Sequence, residues 1–248
     1  DGASSNNNHP ASSRNCIRVA NGLGSWSIAS LSNWLSTQAV VSIPITTLLP
    51  PTTTSTTQSK QQPHPGYHVF AFWTSKYTWI PSKPKSHHTL SKRLAPHETE
   101  IFHVKPISHV LPQYVGSDLH FTCGYEIQSF DVSTTATVMS KSELSSKDSS
   151  NKVVIRLKNG FKRVGYIYVY VPNVDHEENI IATGNNSANE HTALGVDLIA
   201  HIPWHNETGN TDENDHQGHR FMGCVVRIPV MVKGDGSVDD GKITLTFY

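Results

Sequence analysis

Fifteen histidines, three cysteines and 20 acidic side chains supply this 248-residue chain with ample material for metal or acid–base chemistry. Spacing decides whether they can act together. His201 and His205 stand four apart, which chelates zinc on a helix. In a strand, at about 3.3 Å per residue, the same spacing parts the rings by roughly 13 Å. His87 and His88 have no carboxylate near them in sequence. His216 and His219 flank Gly218 beside Asp212, Glu213 and Asp215, the best metal candidate in the chain, with a solvated acidic loop as the alternative. Cys16, Cys123 and Cys224 are widely spaced, and no CxxC pair occurs. Their odd number points to a reducing compartment. Cys123 and Cys224 sit in apolar strand patterns and read as small core residues.

Nucleotide and nucleophile chemistry find less support. Gly236 to Lys242 matches GxxxxGK, but Ile243 stands where the magnesium-binding hydroxyl should be, and Asp239 and Asp240 would repel phosphate. A strand pattern follows the lysine, whereas a phosphate loop needs a helix whose N-terminal amides face the anion. No GxSxG elbow and no cysteine-protease signature is present. The residues therefore assign no catalytic, cofactor-binding or metal-ligating role, and the chain reads as no enzyme. Sequons at Asn185 and Asn206 matter only in a secreted chain.

The elements around these residues read as strands and loops. Residues 1 to 15 form a polar, Ser/Asn-rich arm that cannot bury enough apolar surface to fold alone. Trp26 to Leu35 reads as a short helix or an irregular wrap. Gln38 to Leu49 looks strand-like, with Pro44 marking an edge or bulge. Pro50 to Pro65 is a Thr/Ser/Gln/Pro tract of extended backbone. Tyr67 to Ile80 is aromatic and β-branched, a strand or hairpin. Pro96 to Leu111 has room for a short helix broken by Pro106.

The signal sharpens from Tyr114 onward. Leu119, Phe121, Cys123, Tyr125 and Ile127 alternate with polar residues, which predicts a half-buried strand. Val153 to Leu157 and Tyr166 to Val171 read as strands. Val196, Leu198, Ala200 and Ile202 share one strand face, and Val226, Ile228, Val230 and Val232 another. Ile243, Leu245 and Phe247 alternate with threonines in a last strand. At least seven strands without crossover helices predict an antiparallel sandwich or barrel.

Charge is balanced, with 20 basic and 20 acidic side chains, and lacks the basic excess of a free-standing nucleic-acid binder. It is nevertheless segregated. Lys60 to Lys105 holds seven Lys/Arg against Glu98 and Glu100, and Asp175 to Asp215 holds nine carboxylates with no Lys or Arg. Two solvated faces, or two complementary surfaces that meet neighbouring subunits, would both fit. No stretch approaches the roughly 18 apolar residues of a membrane span, and the N-terminus lacks the apolar core of a signal segment. The first residue, Asp1, fits excision from a longer polyprotein and equally a trimmed start.

Ordered segments in the second half resemble the coat proteins of picornavirus-like viruses. Tyr114-Val115-Gly116-Ser117-Asp118-Leu119-His120-Phe121 resembles the segment that opens an inner strand in that family. Tyr166 to Pro172 resembles a later strand ending in proline, and Val196 to Trp204 a strand ending in an aliphatic-proline-aromatic corner. Cys224 to Val232 and Lys242 to Phe247 take the places of the closing strands. Val115 stands where the family usually has arginine. Within the resemblance, secoviruses, dicistroviruses, iflaviruses and marnaviruses all stay open.

The resemblance implies an all-β fold, an eight-stranded antiparallel jelly-roll sandwich with an extended N-terminal arm. It divides the chain into an arm and irregular wrap over 1–36 and a jelly-roll capsid domain over 37–248. It implies a structural coat protein of a small icosahedral positive-strand RNA virus, assembled in the host cytoplasm with like and sister subunits into a virion. The enclosed RNA would be contacted weakly, since the arm carries only Asp1 and Arg14. No cofactor is implied. Two rival readings are a carbohydrate-binding jelly roll, if Trp73, Trp79 and Trp204 form an exposed platform, and a metal-dependent hydrolase built on His216 and His219.

Overall fold

The structure is a computed structural model that describes residues 12–48, 65–81, 89–108, 110–134, 151–158, 163–174, 177–185, 191–203, 221–232 and 241–247. Most of them are strand, and every strand pair is antiparallel. No helix among the described residues is long and apolar enough to cross a membrane.

The first half builds a five-stranded sheet. The hairpin β1 (Ser12–Asn21) and β2 (Gly24–Asn33) joins β7 (Thr99–Pro106), then β4 (Gly66–Ala71) and β5 (Lys76–Pro81), in the order β1-β2-β7-β4-β5. Two expectations fail here. Trp26 to Leu35 is neither helix nor irregular wrap, because Ala29 and Leu31 alternate into a core while Ile28 and Ser30 stay part-exposed. Small Ser and Ala residues hid that alternation. Pro96 to Leu111 holds β7 in place of a short helix. Its Phe102 and Val104 face the same core, and Pro106 closes the strand.

A two-stranded sheet of β3 (Ala39–Pro44) and β6 (Thr89–Leu94), with the single turn α1 (Ile45–Leu48), covers one face of this sheet. Val41, Ile43, Ile45, Leu48, Leu90 and Leu94 meet Tyr67, Val69 and Ala71 of β4 in one core cluster. Of the strand expected over Gln38 to Leu49, Ala39–Pro44 forms and Ile45–Leu48 turns into α1 instead, while the expected hairpin from Tyr67 to Ile80 forms.

The second half builds two more sheets. One runs β14 (Asp197–Pro203), β15 (Phe221–Val232), β11 (Arg163–Pro172), β8 (Gln113–Ser117). The other runs β13 (His191–Leu194), β12 (Ile180–Asn185), β16 (Lys242–Phe247), β10 (Asn151–Leu157), β9 (Ile127–Thr134). Val226, Ile228, Val230 and Val232 are all buried, as are Ile243, Leu245 and Phe247, so the period-two reading of β15 and β16 holds. On β14 it holds less well. The register shifts between Leu198 and Ala200, so the four residues read as one face do not share it. The segment between Val171 and Val196 carries a 3-10 turn, Glu177–Asn179, and strands β12 and β13.

The eight strands in two four-stranded sheets that the resemblance implies are exceeded. The described strands fall into sheets of five, five, four and two. The excess comes largely from the half before Tyr114, which has its own core. Strands β4 and β11 join the halves. Tyr67, Val69 and Ala71 of β4 point into the first core, while Phe70 turns to the second. Phe70 packs tilted against Tyr168 of β11 at 4.7 Å between ring centroids, and His68 against Tyr170 at 5.0 Å. Gly116 of β8 makes the approach possible: a Cβ there would lie 2.7 Å from the Phe70 ring.

The predicted strand Leu119–Ile127 is a set of turns. The ladder of β8 on β11 ends when the Asp118 carboxylate accepts the Tyr166 N–H at 2.6 Å in place of a backbone carbonyl. Cys123 (φ 48) and Gly124 (φ 144) are both left-handed, which extended backbone cannot accommodate. Apolar alternation over this stretch therefore reflects two sides of a folded loop, with Cys123 and Ile127 inward and Phe121 and Tyr125 outward.

Candidate interaction surface

The loop 118–126 is held from below by a buried polar cluster. Glu126, 3% exposed, accepts hydrogen bonds from the Tyr114 and Ser117 hydroxyls on one oxygen and from the Gly124 N–H, at 2.9 Å, on the other. The Ser117 N–H donates to the Cys123 sulfur at 3.2 Å, and the Cys123 N–H closes a turn on the His120 carbonyl at 2.9 Å. Burial pushes the Cys123 thiol well above its ordinary pKa, the neighbouring Glu126 charge adding to it, so it is an inert thiol.

Lys105 of β7 supports the same region. Its Nζ donates to the Leu23 carbonyl at 2.6 Å and the Tyr114 carbonyl at 3.2 Å, and lies 5.6 Å from the Trp26 ring centroid. Burial lowers its pKa to about 8, against a smaller upward pull from Cys123. A lysine so enclosed is a tie between the β1–β2 turn and β8. Two more anchors come from His103, whose Nε2–H donates to the Phe121 carbonyl at 2.7 Å, and Arg163, which donates to the Leu119 carbonyl at 3.3 Å. Burial lowers the His103 pKa to about 4, the hydrogen bond to Phe121 resisting. Its Nδ1 is buried without a hydrogen-bond partner among the described residues.

Above these anchors the loop presents rings to solvent. Phe121 is 50% exposed and Tyr125 54%. The His120 ring stacks on Phe121 at 4.7 Å and 26° and lies tilted against Tyr125 at 4.9 Å and 32°. Lys158, just past β10, sets its ammonium 4.1 Å from the Tyr125 centroid, a close cation–π contact. Across His103, Phe72 meets Trp73 edge to face at 4.8 Å, and Trp73 is 62% exposed. The chemistry available here is stacking and charge, with the reactive groups buried underneath.

The residues singled out from sequence fare unevenly. Trp73 is exposed, Trp79 packs half-buried against the second core, and Trp204 lies outside the described residues, so the three form no described platform. His201 lies on β14 opposite Cys224. His87, His88, His205, His216 and His219 lie outside the described residues, and among those described no three metal-type side chains converge. Cys123 and Cys224 are buried in the core, as their patterns suggested. Lys242 opens strand β16, so no helix follows the GxxxxGK stretch.

Among the described residues, members of both charge blocks are engaged within the fold. Lys105 is enclosed, Lys92 reaches the buried Glu100 at 3.4 Å, and Asp197 of the acidic run pairs with Arg227 at 2.7 Å. Sequence reading missed His120, Phe121, Tyr125 and Lys158 as a group. The usable signal was Gly116-Ser117-Asp118 and Gly124, turn formers within an apparently alternating run. No protein-family model matches the chain, and no match was found among curated proteins.

Proposed function

We propose that this chain is a structural subunit of a multi-chain shell, a coat protein of the picornavirus-like kind, whose second half is a jelly-roll sandwich. The ordered motifs from Tyr114 to Phe247 motivate the reading, and an all-antiparallel, sheet-on-sheet architecture is compatible with it. The observation that carries it is apolar surface on the strands themselves. Val164 and Met231 are direct partners across β11 and β15 and are 69% and 64% exposed. Ile181, Val40 and Ile17 are likewise exposed strand residues. Strand faces that stay apolar in a lone chain are faces suited to a neighbour.

On this reading the partners are further copies and sister subunits around an RNA genome, and the chain performs no catalysis. Negative-stain imaging and size-exclusion chromatography of material from the native source test it. Closed particles containing this chain are expected; a monodisperse monomer in native material would refute the reading.

A further inference from the structure

We propose that the contact between the two halves of the chain is released by acid: protonation of His68 and His103 frees the sheet β1-β2-β7-β4-β5 from β8, β11 and the loop 118–126, while the strands within each half stay paired. The device lies inside one chain, so it holds or fails independently of the shell reading.

Three observations carry it. First, the contact is separable. No described sheet mixes strands from the two halves, and each half has its own core cluster. Side chains carry hydrogen bonds across it: His103 to the Phe121 carbonyl, Lys105 to the Tyr114 carbonyl, His68 with Gln113, and Tyr168 to the Ser75 carbonyl. Second, the bases gather there. His68 and His103 are the two buried histidines among the described residues. Both lie on the β4–β7 face turned to the second half, where His68 pairs across the ladder with Lys105 and His103 with Phe70.

Third, no described group is placed to receive a positive charge on either ring. Around His68 stand the Tyr77 and Tyr170 phenols, the Gln113 amide and the Lys105 ammonium. Around His103 stand the Phe70 and Phe72 rings and the Phe121 carbonyl. The Cys123 thiol lies towards Lys105 and the Cys224 thiol towards Tyr170. On the adjoining elements Glu126 is bonded to Tyr114, Ser117 and Gly124, Asp118 to the Tyr166 N–H, Glu100 to Lys92, Thr74 and the Trp73 N–H, and Arg163 to the Leu119 carbonyl. A second proton on His103 would sit on Nδ1, which is buried without a hydrogen-bond partner among the described residues. A second proton on His68 would face the Tyr77 hydroxyl, beside a lysine that carries its own charge below about pH 8. Burial holds the two rings at about 3 and about 4, against about 6.5 once they are solvated. The released state therefore takes up protons first, and each pH unit below about 6.5 favours it about tenfold per ring.

The test is labelling of Cys123 and Cys224 in the Cys16→Ser chain with a dithiodipyridine, a disulfide reagent that works in acid. Cys123 lies at the contact, where a Cβ on Gly116 would meet both its sulfur and the Phe70 ring. Cys224 pairs across the ladder with Val171, so it lies on the face of its sheet turned away from Tyr170 and the contact. Between about pH 6.5 and pH 5 the Cys123 rate, corrected by that of a free thiol, is expected to rise roughly a thousandfold, about two decades per pH unit. Cys224 is expected to stay at least about tenfold slower than Cys123 at pH 5, since a local opening costs less than global unfolding. Far-UV circular dichroism is expected to keep its strand signal. His68→Gln and His103→Gln put a neutral amide in each place, and each is expected to lower the slope to about one decade. Equal rates for the two thiols, a Cys123 rate indifferent to pH, or a slope unchanged in both variants would overturn the proposal. The comparison of the two thiols needs neither histidine variant, so a variant that fails to fold does not remove the test. Particle imaging at neutral pH is blind to this step, so failure here leaves the shell reading standing, and the reverse.

Discussion

Glu126 shows why a single residue's role can be invisible in sequence. Between Tyr125 and Ile127 it reads as the polar half of an alternating strand. In the fold it is a buried acceptor whose donors, Tyr114, Ser117 and Gly124, come from both sides of a turn. Hydrogen bonds to a charged group contribute about 1.5–3 kcal/mol each, and donors stranded by its removal cost about 1–3 kcal/mol. Glu126→Gln keeps the shape. Its carbonyl can still take the Gly124 N–H, while the two hydroxyls can rotate to accept from the new amide. A loss of about 1–3 kcal/mol is expected, and a larger one for Glu126→Ala, which strands all three donors. Urea unfolding of the three proteins measures this. Equal stability of Glu126→Ala and the parent would show that the loop is anchored by something other than the clamp.

At the scale of elements, strands were legible where β-branched and aromatic residues were dense, alternating with polar ones in β10 and β16 and running nearly unbroken through β11 and much of β15. Strand β2 was not, because Ser and Ala can sit on either face. The 118–126 loop misled because turns, too, can alternate. The seam between β4 and β11 was illegible altogether, since it depends on which sheets stack, yet it sets an expectation for acid.

His68 is enclosed there by Tyr77 of β5 at 2.9 Å, Gln113 of β8 at 3.2 Å and the Tyr170 ring. The Gln113 amide is oriented by Ser108 N–H on its oxygen and by its own donation to Pro106, so Nε2 of His68 is the protonated nitrogen and Nδ1 accepts from Tyr77. Burial lowers the His68 pKa to about 3, helped by the Lys105 charge and opposed by the Gln113 hydrogen bond. His103, against Phe70 and Phe121, is lowered to about 4. Both folded values lie below the unfolded value near 6.5, so the unfolded chain takes up protons first as pH falls. The two histidines therefore leave stability unchanged above about pH 7 and lower it below pH 6.5, by about 1.4 kcal/mol per pH unit each. The decline ends as the folded values are passed. Urea midpoints measured from pH 7 to pH 4.5 should fall steadily, and His68→Phe should flatten part of the slope. A flat profile through pH 5 would mean that these rings are solvated.

At the scale of the whole molecule the apolar surface sets the last expectation. No register shift interrupts β11 against β15, so Val164 shares a face with Tyr166, Tyr168 and Tyr170. Tyr168 and Tyr170 on that face are covered by Phe70 and His68 of β4, while Val164 lies beyond this cover and opposite Met231. The exposed pair is thus the uncovered end of an inter-sheet surface. A standard interface buries roughly 800 Å² per partner, and charged residues are depleted at its core. Val164→Lys with Met231→Lys should place two cations at such a core. Exposed substitutions away from caps and cores usually change stability by no more than about 0.5 kcal/mol, so the melting temperature of the isolated chain should hold while assembly into particles fails. Particles that form normally from the doubly substituted chain would show that this face looks outward, and the subunit contacts would then have to lie on other strand faces, with Val40 of β3 and Ile181 of β12 the next to substitute. A fall in melting temperature without loss of assembly would instead mark the pair as part of the subunit's own packing.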